Sequence, residues 1–351
     1  MKKLNIKNLF KKRKNNMTEI KDKDEKTLKF NKKVILKTLL GVGAFAVCLT
    51  GGVFLIKSKS GQEVKNINSY FLNLTFNDEE NILIGTEKII YTNNSDTSMQ
   101  NVMFHLYPNA FRENPKNKLV SSANEDKTYY NGYSYGKIDI KSVKIKNENA
   151  SFSVCGEDEN ILNVCLPIEF YPEENVDIEI EFISFLPQIN HRFGVGQNTI
   201  NFANFYPIAC VYENGNGFKQ NPYNSNGDPF YSDISNYDVK VSYPAKYKIA
   251  TSGNKIETKN QDNFAFSSVK GEKIRDFAFI LSDKFEIVSQ KVGNTLVEYF
   301  ALSGDKNASE CLKTACDGLK TFNDLIGVYP YEKLSVVKGS FFTGGMEWPN
   351  M

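Results

Sequence analysis

The feature that most constrains this chain is strict period-two alternation. Val176, Ile178, Ile180 and Phe182 interleave with Asp177, Glu179 and Glu181. In an extended segment every apolar side chain then faces one way and every carboxylate the other. Tyr237, Val239, Val241 and Tyr243 repeat the pattern. Ile138/Ile140 and Val143/Ile145 follow it with a break at Lys141-Ser142, which predicts a bulge. Asn/Asp/Gly turn signals separate these runs, and no long helical period interrupts residues 67–290. The body is therefore expected to be mainly β, an antiparallel sandwich-like arrangement.

The amino-terminal arm has a different chemistry. Residues 1–37 carry fourteen Lys/Arg and four Asp/Glu, a net +10, so the whole-chain charge of +2 leaves −8 for the rest. Leu39–Ile56 is an uncharged, mainly apolar run of eighteen residues, preceded by Val34-Ile35-Leu36. As a helix it would span ~27 Å, close to the hydrocarbon thickness of a bilayer. Lys and Arg are abundant before it and sparse after it, so residues 34–56 read as a transmembrane signal anchor with a cytoplasmic amino terminus. Cleavage as a signal peptide is the competing reading, and the run is long for one. Residues 1–33 read as a disordered basic arm and 57–66 as a polar linker. Positive-inside topology accounts for the basic charge, so no nucleic-acid partner is expected.

Past residue 290 the pattern changes again. Leu296–Phe300 is strand-like. Ala308, Cys311, Leu312, Ala315, Leu319, Phe322 and Ile326 then follow three/four spacing, an amphipathic helix stopped by Gly327. Leu334–Val337 and Phe341–Phe342 read as further strands. Next come Gly344-Gly345-Met346-Glu347, where bare backbone sits beside a carboxylate suited to a cationic group. The apolar faces of this segment lack a layer to pack against, which predicts instability, aggregation or reliance on a partner.

Other chemistry is thinly represented. The two histidines, His105 and His191, lie far apart, and His105 reads as a surface or satisfied sheet residue. Neither suggests a Ser-His-Asp or zinc constellation. Gly194-Val-Gly196 lacks a third glycine and a βαβ context, which excludes a dinucleotide fingerprint. Cys155 and Cys165 flank a turn and read either as a cross-strand disulfide or as buried free thiols.

Gly-Gly-Met-Glu at 344–347 resembles the Gly-x-Met-Glu-Asn exopeptidase motif of the M1 zinc aminopeptidases. Leu106–Arg112 around Asn109, Asn204-Phe-Tyr-Pro207, Gly227–Asp233, Ile274–Ile280 and Gly327–Tyr331 resemble segments of bacterial members, in the family's order. The resemblance covers roughly residues 66–351. It implies a saddle-shaped β domain at 67–290 and, at 291–351, the opening of a thermolysin-like catalytic domain. It also implies zinc as cofactor in the complete family enzyme, and peptides with a free N-terminus as partners.

By that resemblance Glu347 would hold the substrate amine, with Gly344, Gly345 and Met346 beside it. A second amine-binding residue would correspond to Gln197, Asn198 or Asn201. Trp348 stands where the family has Asn. The family's His-Glu-x-x-His helix follows this motif, and no such pattern occurs before Met351. The expectation is a membrane-anchored M1-like aminopeptidase in a truncated form, inactive alone, with no zinc expected for this chain. The alternative is a non-catalytic surface β-domain scaffold derived from the same family.

Overall fold

The structure is a computed structural model that describes residues 67–225 and 230–351, all within one compact unit, Val64–Met351. The expected arm, the anchor at 34–56, Cys48 and the linker at 57–66 lie outside the described residues, as do Gly227 and Asp228. Among the described residues no helix is long and apolar enough to cross a membrane.

The alternating segments form an eight-stranded sheet. From one edge its order is Asn254–Gln261, Phe264–Ile274, Ser235–Pro244, Asn68–Asn77, Ile82–Thr92, Asn175–Phe185, Lys137–Ile145 and Glu148–Asn149. The register shifts between Ile140 and Ser142, where the sequence pattern breaks. One pair departs from the antiparallel expectation: Asn68–Asn77 runs parallel to Ser235–Pro244, with Tyr70 opposite Tyr237. Their rings stack at 5.0 Å between centroids, so side-chain pairing reinforces the parallel contact.

Two four-stranded sheets share the core beneath it. One orders Lys248–Thr251, Phe279–Ser282, Ile200–Phe202 and Phe193–Val195; the other orders Ile208–Ala209, Met99–His105, Ile161–Phe170 and Phe152–Cys155. Phe202 links the layers, stacked on Phe279 at 4.2 Å and edge-on to Phe76 of the large sheet at 5.1 Å.

Three side chains bear on readings that the sequence left open. His105 is not at the surface: it is fully buried and stacked on Tyr107. Burial pushes its imidazole down to about 4. Cys155 sits opposite Ile161, whereas the Cys165 amide bonds to the Ser151 carbonyl. Four residues of ladder, ~13 Å, therefore separate the two cysteines, beyond disulfide reach. Both are free and exposed.

At the carboxy-terminal end, Phe285–Val292, Thr295–Leu302 and Lys333–Val337 form a three-stranded sheet covered by the helix Ala308–Leu325. Leu312, Cys316 and Leu319 pack on Val297, Tyr299 and Ala301. Gly327, at φ +139°, ends the helix with its amide on the Phe322 carbonyl. The expected stripe does not bury throughout: Phe322 is 61% and Ile326 81% exposed. With Ala315, Val328, Tyr329 and Leu334 they line an apolar groove of about 680 Å³. Phe341-Phe342 forms no strand, because its aromatic rings turn onto the β domain instead of into a ladder.

Candidate functional site

The chain leaves the strand Lys333–Val337 and crosses at once onto the β domain. Ser340, 7% exposed, makes the crossing. Its amide donates to Thr199 Oγ1 at 2.8 Å, its Oγ accepts from the Asn198 amide at 2.8 Å, and its carbonyl accepts from Asn201 Nδ2 at 2.9 Å. Phe342 then stacks on the buried imidazole of His191 at 4.9 Å, with Phe341 at 5.7 Å. Burial first, then the Arg192 charge, hold that imidazole well below the usual histidine range, so it is a neutral aromatic wall.

The chain is tied down again from Trp348 onward. Trp348 packs against the cluster of Ala250, Ile280, Phe285 and Phe300. Asn350 donates to the Tyr329 hydroxyl at 3.0 Å, and its carbonyl accepts from the Ser335 amide at 2.9 Å. Residues 341–347 are thus a loop held at both ends. Within it Thr343, Gly344, Gly345 and Glu347 are exposed and Met346 is half-buried. Neither glycine has a left-handed φ, and a Cβ on either would meet open space. Their contribution is uncovered backbone rather than an unusual conformation. Glu347 has no hydrogen bond or ion pair among the described residues, so its carboxylate is available to a cation from solution.

Of the three candidates for a second amine-binding residue, Asn198 and Asn201 touch Ser340 at the start of this loop and Gln197 precedes them in the chain, and they differ in what occupies them. Asn201 is 1% exposed, with both amide hydrogens used on the His191 and Ser340 carbonyls. Asn198 Oδ1 accepts from Lys284 Nζ at 2.9 Å. Gln197 is exposed, its Oε1 accepting from Asn190 at 3.0 Å.

The other family-like segments supply framework. Asn204 Nδ2 donates to Asp276 Oδ2 at 2.5 Å and the Tyr206 hydroxyl to Asp276 Oδ1 at 2.8 Å. Two stretches about seventy residues apart are therefore knotted around one carboxylate. Asn109 bonds the Glu159 carbonyl and the Ile138 amide. Sequence reasoning missed the roles of Ser340 and Thr199, because single small polar residues carry no periodic signal. It also missed Glu87, a fully buried carboxylate with no hydrogen-bond partner on either oxygen.

Zinc does not fit the described residues. No group of three or more His, Cys, Asp or Glu among them is arranged to hold a metal. His105 is buried and stacked on Tyr107, and His191 lies among Phe111, Phe341 and Phe342, so no zinc-dependent step is derived from these residues.

The architecture defines a class. The β domain followed by a three-stranded sheet and its helix has the fold seen in M1 zinc metallopeptidases. The M1 zinc metallopeptidase from Deinococcus radiodurans superposes with a TM-score of 0.50 at 14% identity, over 78% of this chain and 56% of that one. A mutant of the same enzyme gives a TM-score of 0.48, as does that mutant bound to a Tyr-Ser-Ala substrate, each at 14% identity and the same coverage. The chain therefore spans little more than half the length of these structures. No family model and no curated protein matches the sequence.

Proposed function

We propose that residues 67–351 are the peptide-recognising portion of an M1-like aminopeptidase, with Glu347 as receptor for the α-ammonium group of a peptide. Gly344 and Gly345 present backbone to the peptide's first residue, and Met346 flanks it. One observation carries this reading: Glu347 is an exposed, unpaired carboxylate on a loop fixed at both ends, next to uncovered backbone. A charge-assisted hydrogen bond of this kind contributes about 1.5–3 kcal/mol. The described residues supply recognition and not the metal, so the role drawn from them is selection of free N-termini.

Trp348, the one tryptophan of the chain, adjoins Glu347 and reports on binding by its fluorescence. A free-amine tripeptide is expected to bind and its N-acetylated counterpart to bind far more weakly. Glu347→Ala should lose roughly 10- to 150-fold in affinity for the free-amine peptide, and Glu347→Gln should fall between. Equal binding of both peptides, or an unchanged Glu347→Ala, would overturn the assignment. It would favour the second reading, a binding scaffold, for which the exposed apolar groove at Phe322, Ile326 and Val328 speaks.

We further propose that residues 34–56 anchor the chain, with the body extracytoplasmic, on the strength of the apolar run and the Lys/Arg asymmetry. Protease added outside intact cells should digest residues 67–351 and spare the arm. A soluble chain beginning near residue 57 would refute the anchor.

A further inference from the structure

We infer that Ser340, Thr199 and Asn201 form a latch by which the β domain positions the amino-terminal end of the Glu347 loop. Each polar group of Ser340 is engaged by a different residue of 198–201: amide to Thr199, hydroxyl to Asn198, carbonyl to Asn201. The latch is internally closed, since Thr199 Oγ1 also donates to Asn201 Oδ1 at 2.9 Å and Asn201 Nδ2 also holds the His191 carbonyl. Thr199 and Asn201 are each 1% exposed, so water cannot readily substitute for either partner.

The fit is close enough to require glycine at 196, where a Cβ would lie 2.5 Å from Ser340 Cβ. His191, its backbone held by the same Asn201, presents the ring on which Phe342 rests. Orientation therefore passes from Thr199 and Asn201 through Ser340 and Phe342 to Gly344–Glu347. These are positioning residues, and the inference rests on the peptide reading only for what the position serves.

Thr199→Val keeps the shape and deletes the hydroxyl, leaving the Ser340 amide buried without an acceptor; Thr199→Ser keeps the hydroxyl. In the full chain, Thr199→Val is expected to speed hydrogen exchange within 340–347 about 10-fold or more at the Ser340 amide, the one held by Thr199. Acrylamide quenching of Trp348 should rise with it. Exchange in the strands Asn68–Asn77 and Ile82–Thr92 should stay as in the unmodified chain, and Thr199→Ser should stay within about twofold throughout. Affinity for the free-amine tripeptide should fall in Thr199→Val and be retained in Thr199→Ser.

Unchanged exchange at 340–347 in Thr199→Val would overturn the latch, as would a uniform rise over all strands, which would mark a general packing role. Faster exchange with undiminished peptide affinity would overturn the positioning role. If the unmodified chain binds no tripeptide, the peptide reading fails, and the exchange pattern alone decides the latch.

Discussion

Asp276→Ala is expected to destabilise the β domain by about 2–5 kcal/mol, the sum over more than one weakened buried donor, with Tyr206→Phe costing about 1–3 kcal/mol. The Asp276 carboxylate is 8% exposed and accepts from Asn204 Nδ2, the Tyr206 hydroxyl and its own neighbour's amide at Phe277. Deleting it leaves Asn204 Nδ2 buried without this acceptor and reduces Tyr206 and Phe277 to longer contacts, with Tyr237 at 3.2 Å and with the Tyr206 hydroxyl at 3.4 Å. The Tyr206 hydroxyl also reaches Tyr237, whose ring stacks on Tyr70 in the parallel strand pair. Loss of the knot therefore reaches into the large sheet. Asp276→Asn should lie between, since its Oδ1 can still accept from Tyr206. Urea unfolding followed by far-ultraviolet dichroism measures these differences. A change below about 0.5 kcal/mol for Asp276→Ala, the usual range for surface substitutions, would show that the knot is dispensable.

Glu87→Gln should do the opposite and stabilise the protein at neutral pH. Glu87 lies on the buried face of the large sheet, opposite Leu72 on one side and Ile180 on the other. Burial pushes its carboxyl well above the usual range, so the folded protein holds a proton that the unfolded chain gives up. The titratable groups facing it are the Tyr70 and Tyr237 hydroxyls, themselves raised chiefly by burial and neutral in this range. A raised folded-state value gives stability that is fully present below the unfolded carboxylate range. That stability is lost as pH climbs toward the folded value. The gap between Glu87→Gln and the unmodified protein should thus widen by about 1.4 kcal/mol per pH unit above roughly 4.5, until the folded group ionises. Parallel stability curves from pH 5 to 8 would contradict this account.

Much of this architecture was legible in the sequence. Period-two runs such as Val176–Phe182 define both a strand and its buried face, and the break at Lys141-Ser142 marked a real register shift. The helix Ala308–Leu325 was legible from its spacing, but which part of its stripe would be covered was not. Spacing places Phe322 and Ile326 on an apolar face without supplying a neighbour for it. The parallel pairing of Asn68–Asn77 with Ser235–Pro244 is a long-range choice that no local pattern encodes. Similarly, Glu347 could be singled out by its glycines, whereas Thr199, Asn201 and Ser340 matter through contacts about 140 residues apart in sequence. Asn204 and Asp276 were noticed only inside family-like segments, and their shared hydrogen bonds required the fold.

The loop at 341–347 is fastened before it by Ser340 and after it by Trp348 and Asn350. Fixing a residue's backbone costs about 1–2 kcal/mol of entropy at room temperature, and here folding has already met much of that cost for seven consecutive residues. On the proposed peptide reading, a peptide arriving at Glu347 would therefore meet a surface whose shape is largely set. Its binding should show little of the entropic loss that accompanies ordering a slack loop. Discrimination among peptides would then fall in their residence times rather than in their rates of arrival.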